Sequence, residues 1–189
     1  MKKALMIASV LLIAVISTAC INNIAVQELN NKAADFMAKG DYESAMNRLE
    51  ASIDLDSTMY QTYYNLGIAA INAKKYEKAI KAFEGGISIK PDYADFYYSL
   101  GIAQISLADE LVEPAEEKDD SQEEVVSNKE DKDRVVEKET AVELKRSAIE
   151  NLSKYLEMRP DTEDKDTVQE MIKQSEEFIN EGSGENKEA

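Results

Sequence analysis

An all-α fold is predicted for this chain, a short solenoid of antiparallel helix pairs, and three observations predict it. The 189 residues include only 7 glycines and 3 prolines, while the strong helix formers Ala, Leu, Glu and Lys are plentiful. Apolar residues recur at helical spacing, as in Tyr63, Leu66 and Ala70 and again in Tyr76, Ala79, Ile80 and Phe83. The chain also resembles itself at an offset of 34 residues, the mark of an array whose units bury their apolar faces against one another.

The N-terminus comes first in order. Lys2 and Lys3 precede an apolar run from Ala4 to Ile16, and the small residues Ser17, Thr18 and Ala19 lead to Cys20, the one cysteine of the chain. That order reads as a secretory signal. It resembles the bacterial lipoprotein type, which implies removal of 1–19, lipidation of Cys20 with an acyl chain such as palmitate, and a membrane-anchored tether over 20–25. Ser17 departs from that pattern, where a large apolar residue is usual. A plain signal peptide or an uncleaved anchor are the alternatives, although the apolar run is shorter than a spanning helix requires. One cysteine excludes an internal disulfide.

The repeats follow. The stretch FMAKGDYESAMNRLEASIDLDS (36–57) matches AINAKKYEKAIKAFEGGISIKP (70–91), so Tyr42 pairs with Tyr76, Ala45 with Ala79 and Leu49 with Phe83. YYNLGIA (63–69) returns as YYSLGIA (97–103). The period, the Leu-Gly pair, the Tyr and Ala positions and Pro91 resemble the tetratricopeptide repeat, in which each unit is a helix-turn-helix. Gly67 and Ala79 are small where two such helices cross, and Gly40-Asp41 and Lys74-Lys75 fall at the turns. Repeat one spans about 26–59 and is degenerate at its start, and repeat two spans 60–93. Repeat three begins with a first helix over 94–108. Its second helix is expected over 141–160, where Ala148, Ile149 and Leu152 stand for Ala79, Ile80 and Phe83 after an insertion of 35 residues. A helix over 161–181 with Val168, Met171, Ile172 and Phe178 on one face is expected to cap the array, and 182–189 to form a flexible tail.

The insertion, 109–140, carries fourteen acidic and five basic residues and no aromatic. It is expected to be disordered, because it cannot bury enough apolar surface to offset its ordering entropy. It is either a tolerated elongation of a turn or an acidic arm for a basic partner or weakly held divalent cations. Asp131, Asp133, Asp161, Asp164 and Asp166 lack the glycine and closing glutamate of a calcium loop.

The formal net charge is −16, which disfavours nucleic acid as a partner. With no histidine, no Gly-rich phosphate loop and no supported nucleophile, no catalytic residue, metal site or cofactor is expected, and the chain is read as a non-enzyme. The resemblance implies a partner-binding groove lined by first helices. Carried over by position, repeat two offers Gln61, Tyr64, Asn65, Ile68, Ile71 and Asn72. Repeat three offers Asp95, Tyr98, Ile102, Ile105 and Ser106, and repeat one Gln27, Asn30, Ala34, Met37 and Ala38. Tyr64 and Tyr98 share one offset and are expected to stack, giving an apolar groove with tyrosine hydroxyls for a protein or peptide. Asn65 matches one position of the carboxylate clamp found in some family members. Asn30 and Ala34 replace its first pair, and Asp95 and Ser99 its basic pair. The function expected is protein–protein interaction at a bacterial cell envelope, at the outer membrane if there are two. A small apolar ligand in the groove is the alternative, and self-packing of the groove residues is the plainer one.

Overall fold

Side-chain packing at the helix crossings sets the architecture. The computed structural model describes residues 23–113 and 127–182, the second stretch with its side chains from 135 to 181. Among the described residues there are seven α-helices and no strand. They are α1 (23–38), α2 (Tyr42–Leu55), α3 (Tyr60–Asn72), α4 (Tyr76–Ile89), α5 (Ala94–Val112), α6 (Ser127–Met158) and α7 (Lys165–Gly182). From α2 to α7 each packs on its neighbours in the chain, and α1 meets α2 through Asn30 and Ser52, so the array is a tetratricopeptide-like solenoid of helix pairs. Among the described residues no helix is long and apolar enough to cross a membrane.

Small residues let the helices approach. A Cβ at Gly67 of α3 would run into the ring of Phe83 on α4, and one at Gly86 into Phe96 on α5. Ala45, Ala79 and Ala148, the equivalent crossing positions, are fully buried. The first core gathers Met46, Leu49, Leu66, Phe83, Phe96 and Leu100. The second gathers Ala94, Leu152, Tyr155 and Val168, with Met171 and Ile172 of α7 packed against it.

The first two turns share one backbone geometry. After α1, Gly40 N–H donates to Met37 and Asp41 N–H to Phe36, each at 3.0 Å. After α3, Lys74 N–H donates to Ile71 at 2.9 Å and Lys75 N–H to Ala70 at 2.8 Å. This closure places one residue in the left-handed region. It is Gly40 at φ 75 in the first turn and Lys74 at φ 55 in the second. For a residue with a Cβ that conformation costs about 1–2 kcal/mol.

Three expected boundaries are corrected. Residues 109–112 and 127–140 of the insertion are helical, because α5 runs on to Val112 and α6 begins at Ser127, not at Ala141. Residues 135–140 are all exposed and Ala141 is the first buried position. The chain there forms helix on its own hydrogen bonds, with strong helix formers and no apolar face to bury. Residues 114–126, the middle of the insertion, lie outside the described residues, as do the signal, Cys20 and the tail from 183. The capping helix starts at Lys165, since Thr162–Asp164 form the turn before it: Tyr155 O–H donates to Asp164 Oδ1 at 3.0 Å, and the Thr162 hydroxyl bonds both Tyr155 and Asp164.

Candidate functional site

The first-helix face begins with a row of amides. Gln27, Asn30 and Asn31 on α1 face Gln61, Thr62 and Asn65 on α3 across a cleft of about 320 Å³, with Met59 at its edge. Asn30 holds the helices in place. Its Nδ2 donates to Ser52 Oγ on α2 at 2.9 Å and to the Val26 carbonyl at 3.0 Å. The Thr62 hydroxyl donates to Asn30 Oδ1 at 3.2 Å. Ser52 and Thr62 are fully buried, so these bonds satisfy groups that burial would otherwise leave unpaired. Asn31 and Gln61 are exposed and Asn65 half-buried. An amide donates and accepts, as a peptide group does, and the cleft lining carries no charged residue. It can therefore pair with main-chain N–H and C=O groups.

The family positions named neither Thr62, which is buried, nor Asn31, which is exposed in the cleft. The signal for Asn31 is the same period of 34: Gln27 and Asn31 recur as Gln61 and Asn65. In repeat three the same places hold Asp95 and Ser99. Asp95 pairs with Arg159 at 3.0 Å, and Ser99 is buried, so the amide row stops there.

The tyrosines and isoleucines of the expected groove are half-buried, and most of them pack on the protein itself. Tyr64 meets the rings of Phe83, Tyr93 and Phe96 at 5.6–6.0 Å. Tyr98 meets Tyr155 at 5.1 Å. The two thus pack on different partners instead of stacking on each other. Burial, then Asp164, pushes the Tyr98 hydroxyl up from its ordinary pKa. Ile68 and Ile71 pack on the first core and Ile105 on the second. Ile102 is half-buried, and Asn72 is exposed with its amide donating to the Ile68 carbonyl at 2.8 Å. Among the described residues no group of acidic, histidine or cysteine side chains is placed to hold a metal ion.

Residues 73–107 match the family model of the TPR repeat. Solved structures of similar fold include the first TPR of Spaghetti (RPAP3) bound to the HSP90 peptide SRMEEVD, at 14% identity and a TM-score of 0.57, covering 82% of this chain and 92% of that one. They also include the second TPR domain of human RPAP3 in complex with the HSP70 peptide SGPTIEEVD, at 14% identity and a TM-score of 0.57, covering 82% and 98%. The TPR domain of Arabidopsis OM64 is similar at 15% identity with the same TM-score, covering 82% and 98%. No curated protein sequence matches the chain. Helix pairs in a 34-residue register, small residues at their crossings and a repeat model matching 73–107 agree on a tetratricopeptide-repeat fold.

Proposed function

We propose that this chain is a lipid-anchored interaction module of a bacterial cell envelope, holding an extended stretch of a partner protein against its first-helix face. The observation that carries the reading is the repeated amide pair, Gln27 with Asn31 and Gln61 with Asn65, lining one uncharged cleft. A repeat that places the same donor–acceptor groups at successive steps suits a ligand that is itself periodic, and a peptide main chain is one. A C-terminal carboxylate is not the ligand suggested for this face, because Asp95 and Ser99 stand where clamp members of the family carry basic residues. The polar lining also disfavours a small apolar ligand. Cys20 would carry the lipid and keep the module at a membrane, the outer one where there are two.

A photo-crosslinking residue placed at Gln61 tests the groove. It is expected to give one partner adduct in living cells, lost when Asn31→Ala and Asn65→Ala are added, while the same residue at Glu84 gives none. An equal adduct from both positions sinks the reading. For the anchor, metabolic labelling with palmitate should mark the natural chain and leave Cys20→Ala unmarked.

A further inference from the structure

A second cleft lies at the α3–α4 turn, where the chain departs from its own repeat. In repeat one the turn is Gly40-Asp41. Asp41 caps α2, its carboxylate accepting from Ser44 N–H at 3.1 Å. The equivalent residues in repeat two are Lys74-Lys75. Lysine thus replaces glycine in the left-handed position, the one non-glycine residue with positive φ among the described residues. Lysine also replaces the capping aspartate, so α4 starts with no side-chain cap. Both replacements act against the local structure. The missing cap is shared by α3 and α5, but the left-handed lysine is peculiar to this turn, and an outlier of that kind points to a use.

The surroundings say what the use is. Lys74, Lys75, Lys78 and Lys81 line a cleft of about 570 Å³ whose other lining includes Tyr63, Leu66 and the acids Glu50 and Glu77. Four of the eight Lys and Arg residues in 23–113 stand here, in a stretch that carries fourteen acids. Lys75 pairs with Glu43, and Lys78 with Glu50 at 2.6 Å, across the boundary between repeats. Those partly exposed pairs take up two of the four ammonium groups. Lys74 and Lys81 are exposed and have no carboxylate partner among the described residues. The cleft reaches the first turn of α4, a helix of 14 residues, whose leading amides and dipole favour an anion.

We propose that this cleft docks a carboxylate-rich peptide segment of a partner protein, with one carboxylate capping α4 in the place Asp41 fills for α2 and Lys74 and Lys81 holding its neighbours. Lysine is a compact point charge that suits single carboxylates, and Tyr63 with Leu66 gives the segment an apolar floor. The site is separate from the amide cleft and takes the opposite chemistry. A partner reaching both faces would gain by linkage, without needing tight binding at either.

The test uses the full chain and fluorescein-labelled octaglutamate, read by anisotropy. Binding is expected, weakening as salt rises, and the amide resonances of Tyr76, Glu77 and Lys78 are expected to shift. Lys74→Gly with Lys75→Asp rebuilds the turn of repeat one. That variant should melt at higher temperature and bind at least tenfold more weakly. Lys81→Gln should weaken binding several-fold with an unchanged melting temperature. Gln61→Ala with Asn65→Ala should leave it unaltered, so failure here and failure of the amide cleft are separable. The proposal is overturned if octaglutamate does not bind, if octaglutamine binds equally well, or if the rebuilt turn binds as the natural one does. It is also overturned if inorganic phosphate or phosphatidylglycerol vesicles occupy the cleft and octaglutamate does not.

Discussion

The two ends of the solenoid solve one packing problem with different helix lengths. In α1 to α4 the helices run 13–16 residues and turn within a few. Phe83 of α4 fills the space that Gly67 leaves. In α5 and α6 the pair runs 19 and 32 residues, yet Leu152 meets Gly101 as Phe83 meets Gly67, and a Cβ there would stand 2.7 Å from Leu152 Cγ. The insertion has lengthened the hairpin at its turn and left the crossing intact. Polar links take over where the rings stop. Asn151 donates to Gln104 at 2.9 Å, and Lys145, nearly buried, reaches Asp109 at 2.6 Å with its ammonium 5.4 Å from the Phe178 ring. Each repeat touches only its neighbours, so a local elongation need not travel along the array.

The sharpest way to break this comparison is Phe96→Ala. Phe96 belongs to α5 but packs on Tyr60, Tyr64, Phe83 and Tyr93, so it ties α5 into the first core. Loss of about 3–5 kcal/mol is expected in urea unfolding. A transition that splits in two would mark the ends as separate cooperative units. Next come Ala79→Leu and Ala148→Leu, both at fully buried crossings. Overpacking should cost about 1–3 kcal/mol in each, and a much smaller cost for Ala148 would show that the long hairpin repacks more easily. Asp109→Ala leaves an ammonium with a side-chain exposure of 8% unpaired and should destabilise by about 1–3 kcal/mol. Lys145→Met should cost less, since the carboxylate it abandons is half exposed. Replacing 114–140 by a short turn should lower the helical circular dichroism by the contribution of 127–140 and shift the melting temperature by less than about 4 °C. The smallest effect is alkaline. Burial, then a hydrogen bond to Asp95, pushes the Tyr93 hydroxyl from 10.0 up to about 12. The folded state favours the neutral phenol, so its contribution is whole below pH 10 and is lost as pH climbs from 10 toward 12. Tyr93→Phe should flatten that part of the melting profile.

What could be read before any coordinates was the register. Ala79 with Ala148, Phe83 with Leu152 and the narrow place at Gly67 all follow from apolar periodicity at a 34-residue offset. The helix over 127–140 was not legible, because a stretch without an apolar stripe offers periodicity nothing to detect. The amide cleft was half legible. Gln27, Asn30, Gln61 and Asn65 fall at groove positions, but Asn31 is not among those carried over for repeat one, and only its repetition as Asn65 carries the pattern. The offset placed Tyr64 and Tyr98 on one face. It gave no account of their neighbours, since Phe96 and Tyr155 reach them from other helices.

The overhang of α6 has a consequence for how the molecule ages. Residues 135–140 of α6, roughly 9 Å of helix, are all exposed ahead of buried Ala141. Lys138 is exposed there and three residues short of buried Ala141. A trypsin-like protease that nicks the chain after Lys138 meets no core. The two pieces would stay joined through the α5–α6 contact, and the damage would show on a denaturing gel while the melting curve stayed that of the intact chain.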